Sequence, residues 1–228
     1  MRQIKVSTIS QQIEITGDNA KHLIYSLRSK PGEHIIVIDE IGQRAVIELV
    51  NFTKEKVFGN LIKHLPPKQQ EKITLAVSMP KRGLDEIIRQ ATEIGVSTIQ
   101  PLITERTIAR PSAAKQERWQ RIAKEAAEQS GAFEPTINPL MQLTKYVSQL
   151  RGQVIICNET EEQKRISDIN LSNEVTIIIG SEGGFTENEI KMLENLGAIS
   201  ITLGENILRV DTAAIVTLSI IKFILSSV

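Results

Sequence analysis

The chain of 228 residues contains one cysteine, Cys157, which excludes an internal disulfide and a cysteine-rich metal site. Such sparing use fits a reducing compartment, and the cytoplasm is the expected location, with Cys157 a buried structural residue. Histidine is also scarce. Its three copies, His22, His34 and His64, all precede residue 65, so Ser181 in the second half has no histidine nearby in sequence to activate it as a hydrolase nucleophile. Net charge is absent, because 27 basic residues face 27 acidic ones. A polyanion partner would therefore have to be met by local basic patches rather than by the whole molecule. The opening MRQIKVSTIS lacks the apolar core of a signal peptide. The most apolar run, Ala213 to Leu225, is short and interrupted by Lys222, so it reads as a buried helix and no membrane partner is expected. No internal repeat or low-complexity tract is present, and no bound metal is expected.

What remains is ordinary globular material, 41% hydrophobic and 24% charged. Two prolines and a polar run at His64-Leu65-Pro66-Pro67-Lys68-Gln69-Gln70-Glu71-Lys72 mark a linker. Before it, Ile35 to Ile38, Arg44 to Val50 and Lys56 to Ile62 read as short strands. Asp39 to Gln43 connects the first two as a hairpin, with Gly42 suited to a positive φ, and Ala20 to Leu27 reads as a short helix. A small β-barrel is expected over residues 1–68. After the linker, strands and helices alternate. Strands are expected at Ile73 to Met79, Thr98 to Ile103, Val154 to Cys157, Val175 to Ile179 and Ile199 to Leu203. Helices are expected at Arg82 to Ile94, Ser112 to Ser130, Thr186 to Leu196 and Thr212 to Leu225. Residues 73–228 thus form an α/β domain with a mainly parallel sheet.

Charge is divided between the halves. The chain through Lys72 carries a net +3 and the remainder a net −3. Arg106, Arg110, Lys115, Arg118, Arg121 and Lys124 gather within 19 residues against Glu117 alone, which suits either a solvated helix face or an RNA footprint.

Four segments carry candidate chemistry. In the first, an apolar strand enters Gly180-Ser181-Glu182-Gly183-Gly184-Phe185, and Thr186 and Glu189 have capping-box spacing for the helix beyond. Glycines allow close approach of a ligand to the backbone, and a helix N-terminus offers unpaired N–H groups. The dinucleotide and P-loop glycine patterns are absent, and Gly180 adjoins Ser181 directly, which breaks the nucleophile-elbow spacing. A ligand-free strand-to-helix turn therefore explains this loop as well as a binding site does. In the second, a strand runs into Leu203-Gly204-Glu205-Asn206-Ile207-Leu208-Arg209-Val210-Asp211-Thr212-Ala213. Here Asp211 can serve as an N-cap and Arg209 can pair with it, or both can face a substrate. Thr104-Glu105-Arg106-Thr107 and Glu128-Gln129-Ser130-Gly131 are polar groups at element ends.

Together these segments resemble the RsmE family of ribosomal RNA methyltransferases in the SPOUT superfamily. Further matching pieces are His22-Leu23, Leu27-Arg28 and Gly32, then Lys81 and Ala91-Thr92-Glu93-Ile94-Gly95-Val96. The resemblance implies a PUA-like, RNA-binding β-barrel followed by a SPOUT α/β domain with a C-terminal trefoil knot, an exception to the rarity of knots. It implies S-adenosylmethionine as cofactor and a homodimer. It also implies methylation of uridine N3, conventionally at position 1498, in the 16S rRNA of the assembled small ribosomal subunit, a step of ribosome biogenesis. On this resemblance Ile179, Gly180, Gly183, Gly184, Leu203, Gly204, Ile207, Leu208 and Arg209 bind the cofactor. Arg28, Thr104, Glu105, Arg106, Arg110 and Gln129 contact RNA. Arg209 stabilises the uracil anion, and Asp211 or Glu182 is the general base. The alternative is a non-catalytic RNA-binding protein with a degenerate methyltransferase domain. Four positions depart from the family pattern: Ser181 stands at its usual proline, Val210 and Asp211 at its Thr-Glu, and Ala132 at a basic residue.

Overall fold

Period-two alternation builds the first unit. In the computed structural model, which describes residues 3–66, 71–109 and 113–226, β1 (Gln3–Lys5) and β2 (Gln12–Ile15) precede a helix, α1 (Gly17–Lys21), that continues as a π-helical turn over His22–Ser26. Strands β3 (His34–Ile38), β4 (Arg44–Phe52) and β5 (Val57–Leu65) follow. The sheet order is β1-β3-β4-β5-β2, antiparallel except for the β1–β3 pair. Ile35 and Val37 alternate inward from β3 and stand opposite Ile47 and Ala45 of β4. Together with Ile13, Ile15, Leu23, Leu49 and Val57 they form one core. Register shifts at Val46/Ile47 and Leu49/Asn51 bend the β4–β5 ribbon. The hairpin stands as expected, with Gly42 at φ 81°. Among the described residues, strand pairing leaves β1 and β2 at the two edges of this sheet.

The chain divides into two compact units, 1–69 and 70–228. The junction residues 67–70 lie outside the described structure, and the expected linker is shortened at both ends because His64 and Leu65 belong to β5 and Lys72 opens a strand.

The second unit begins with β6 (Lys72–Ser78), α2 (Leu84–Ile94), β7 (Thr98–Ile103) and α3 (Ala113–Ser130). Two short strands, β8 (Thr136–Ile137) and β9 (Met141–Gln142), lead into α4 (Leu143–Tyr146). Then come β10 (Gln153–Cys157), β11 (Glu174–Ile179), α5 (Glu187–Asn195), β12 (Ile199–Ile201) and α6 (Val210–Ser226). The sheet is parallel throughout, in the order β12-β10-β11-β6-β7-β8, with β9 also on β7. Ile73, Leu75 and Val77 of β6 pack on one face against Ile87, Trp119 and Leu218 of α2, α3 and α6. Ala76 of β6 and Ile178 of β11 pack on the other face with Leu143 and Leu193 of α4 and α5. Both faces being covered explains why these strands are apolar on both sides. Helix α2 starts later than expected because Gly83, its N-cap, is in the left-handed region. The mixed α/β architecture with its parallel sheet is thus present. No helix among the described residues is long and apolar enough to cross a membrane.

Candidate functional site

Three neighbouring parallel strands, β12, β10 and β11, end side by side, and ligands in open α/β sheets bind at such carboxyl ends. A cavity of about 290 Å3 lies there. Its walls are the segments after β10 (Cys157, Asn158, Glu159), after β11 (Ile179 to Glu182, Gly184, Phe185) and after β12 (Ile201 to Val210, with Ala213).

The glycine loop is a tight turn. Gly184 N–H donates to the Ser181 carbonyl at 2.8 Å, and Gly184 has φ 68°. A Cβ at Gly184 would stand 2.5 Å from Glu159 Oε1, so the Glu159 side chain lies directly over the loop. The capping box at α5 is formed: Glu189 N–H donates to Thr186 Oγ1 at 3.3 Å, and Thr186 N–H donates to Glu189 Oε2 at 2.9 Å. Glu189 is buried, and its other oxygen accepts from Glu105 N–H at 2.9 Å. Arg106 donates to the Gly183 carbonyl at 2.6 Å. Lys81 N–H donates to Glu182 Oε1 at 2.8 Å. Loops from β6 and β7 therefore hold the glycine loop from the side away from β10.

The loop after β12 is largely exposed, and Gly204 takes φ 115° within it. Gly204 N–H donates to Thr202 Oγ1. The amides of residues 205–208 donate to no group of the chain among the described residues. Exposed, unspent amides beside an apolar wall suit the edge of a heterocycle. This donor set fits an adenosine-bearing cofactor.

Most of the expected cofactor residues come together here: Ile179, Gly180, Gly184, Leu203, Gly204, Ile207, Leu208 and Arg209 line the cavity. Gly183 does not, because it faces Arg106 instead. Of the expected catalytic groups, Glu182 and Arg209 line the cavity and Asp211 does not. Asp211 is not the N-cap either. It sits in the first turn of α6, accepts from Thr212 N–H at 3.0 Å, and has no ion pair with Arg209 among the described residues. Of the expected RNA contacts, Arg28, Glu105, Arg106 and Gln129 are exposed, and Arg28 adopts a left-handed φ of 49°. Thr104 is buried and bonded to Thr107. Arg110 lies outside the described residues. The basic cluster is partly neutralised, as Arg118 pairs with Asp85 at 2.7 Å and Arg121 with Glu125 at 3.8 Å.

The β10 wall carries no glycine motif and so no sequence signal; it joins the site through its strand neighbours. Cys157 belongs to that wall; the residue is half-buried and its thiol packs against the core. Burial pushes its thiol up to about 12, against a smaller opposing effect of the Thr217 hydrogen bond, so it stays protonated and unreactive at neutral pH.

Residues 66–222 match the family model described as an RNA methyltransferase domain. The chain is 30% identical over 247 aligned positions to ribosomal RNA small subunit methyltransferase E of Bacillus subtilis, spanning 98% of this chain and 96% of that protein. It is 38% identical over 164 positions to the Synechocystis protein of the same name, spanning 68% of this chain but 54% of that one. The crystal structure of ribosomal RNA small subunit methyltransferase E from Neisseria gonorrhoeae, bound to S-adenosyl methionine, has a similar fold. Its TM-score is 0.71 and its identity 27%, with 98% of each chain covered. Residues 66–222 thus belong to the RNA methyltransferase domain family, and over both of its units the chain belongs to the family of ribosomal RNA small subunit methyltransferase E.

Proposed function

We propose that the chain methylates N3 of a uridine in 16S rRNA, the position conventionally numbered 1498, with S-adenosylmethionine as the methyl donor. The observation that carries this reading is the cavity that sets Glu182 and Arg209 beside a wall of glycine turns and unspent amides. The cofactor supplies an electrophilic methyl carbon on a sulfonium. The residues of the chain supply the rest. Uracil N3 must lose its imide proton, and Glu182, whose Oε1 is fixed by the Lys81 amide, accepts it. Arg209 neutralises charge on the flanking uracil oxygens. Holding both reactants in one cavity would add acceleration through positioning. The base must leave its stack to enter.

The first unit is read as a PUA-like RNA-binding barrel and the second as a SPOUT domain with a C-terminal trefoil knot. β10 precedes both β11 and β12 in the chain yet lies between them in the sheet, a topological switch point of the kind at which α/β sheets bind ligands. Arg28, Glu105, Arg106 and Gln129 are the exposed RNA contacts on this reading, while buried Thr104 shapes its loop. Val216, Ile220 and Phe223 form an exposed apolar stripe along α6, which we assign to a homodimer contact.

Glu182→Gln is expected to lower kcat by about 10²- to 10⁴-fold while S-adenosylhomocysteine binding is kept, and Asp211→Asn is expected to do much less. The reverse order would move the base to Asp211. Mass spectrometry of 16S rRNA from cells lacking the chain tests the reaction itself. Loss of 3-methyluridine supports it, and persistence at full level overturns it.

A further inference from the structure

Tyr25 lies between the two matching pieces of the first unit, His22-Leu23 and Leu27-Arg28, and belongs to neither. It is 61% exposed, and its hydroxyl donates to the Lys54 carbonyl at 3.1 Å in the turn between β4 and β5. The ring is therefore tethered at its tip yet left open to solvent. The local backbone arranges this. Leu27 N–H donates to the His22 carbonyl at 2.9 Å, which makes the turn π-helical, and such turns recur at functional sites. Leu23, Ile24 and Leu27 then pack on the core, while Lys21, Tyr25 and Arg28 stay outside. Arg28 follows at φ 49°, the one non-glycine residue with positive φ among the described residues. Backbone strain of this kind concentrates at binding sites.

The surroundings are basic. No acidic residue stands between Asp18 and Glu33 in the sequence. Lys21 pairs with Asp18, but Arg28, Lys30 and Lys54 form no ion pair among the described residues. An apolar protein partner would want a contiguous apolar patch, whereas the exposed residues beside Tyr25 are Lys21, His22, Ser26 and Arg28. A tethered aromatic ring among unpaired cations fits an unpaired nucleic-acid base instead. The base stacks on the ring while the phosphates meet the cations.

We propose that Tyr25 is a stacking platform for an unpaired base of the RNA, with Arg28 as the accompanying phosphate contact, so that the first unit favours single-stranded RNA over duplex. The proposal rests on the RNA-binding reading of the first unit and adds the mode of recognition. It is independent of the cofactor cavity.

Fluorescence anisotropy of the full chain with a single-stranded RNA of about ten nucleotides, and with a duplex of that length, tests it. The unaltered chain should prefer the single strand. Tyr25→Ala should bind the single strand about fivefold to fiftyfold more weakly and the duplex as before, with the salt dependence of binding kept. Tyr25→Phe, which keeps the ring and loses the tether, should stay within about threefold of the unaltered chain. Arg28→Gln should instead flatten the salt dependence on both RNAs. Equal affinity of Tyr25→Ala and the unaltered chain for the single strand would overturn the proposal. So would an equal loss on both RNAs, which would make the ring part of a general charged surface. A Phe variant as weak as the Ala variant would assign the effect to the hydroxyl and overturn it too. If Tyr25→Ala unfolds, Tyr25→Leu, which keeps apolar bulk without a π face, takes its place and is held to the same outcomes. Failure of the unaltered chain to bind either RNA would remove the RNA-binding reading itself, and the proposal with it, while leaving S-adenosylhomocysteine binding untouched.

Discussion

Single residues in the glycine turn carry more constraint than their size suggests. Gly184 combines a left-handed φ with the overlying Glu159 carboxylate. Gly184→Ala should cost about 1–2 kcal/mol for the backbone conformation alone and should also push Glu159 aside. Adding Glu159→Ala relieves the contact but not the backbone cost, so chemical denaturation of the single and double variants separates the two. A double variant restored to full stability would show that the turn itself carries no strain. At this scale the sequence was readable where a residue type has one physical meaning. Gly42 and the Thr186–Glu189 box behaved as their types require. Asp211 was ambiguous because an aspartate near a helix start serves equally as cap, first-turn charge or base, and only placement shows it in the first turn and outside the cavity wall.

Elements were legible where both faces are buried or the polarity strictly alternates. Thr98 to Ile103 falls on β7 without adjustment, and the other expected strands of the second unit differ by one or two end residues. The strands β1, β2, β8 and β9 were missed because two to four residues hold too little periodicity to register. One element-scale link is invisible in sequence. Glu71, just before β6, meets Lys222 and Ser226 of α6, 151 and 155 positions away. Partial burial raises the Glu71 carboxyl, but the Lys222 hydrogen bond and charge and the Ser226 hydroxyl outweigh it and hold it below its ordinary 4.5. A carboxyl lowered by folding stabilises the native state above its unfolded pKa, and that contribution is lost as pH falls through the folded value. Lys222→Met should therefore destabilise by about 1–2 kcal/mol at neutral pH. The gap to the unaltered chain should close below pH 4.5, and urea titrations across the acid range would read it. A gap independent of pH would assign the loss to packing alone.

For the whole molecule, the α6 stripe sets the expectation. Phe223 is 73% exposed on a helix whose opposite side is core. Light scattering should find the unaltered protein at about twice the 25.4 kDa chain mass and Phe223→Asp at the single mass, with the fold kept. A monomeric unaltered protein would dismiss the stripe as an interface. The strand order has its own consequence. The cavity is closed on one side by the segment after β12, and β12 reaches its place by passing beyond β10 rather than beside β11. During synthesis, every residue of the first unit and most of the parallel sheet emerges before that last wall exists. On the function proposed above, a growing chain can thus expose Arg28, the proposed RNA contact of the first unit, long before the cavity for a methyl donor is complete, so capacity to touch RNA would precede capacity to modify it.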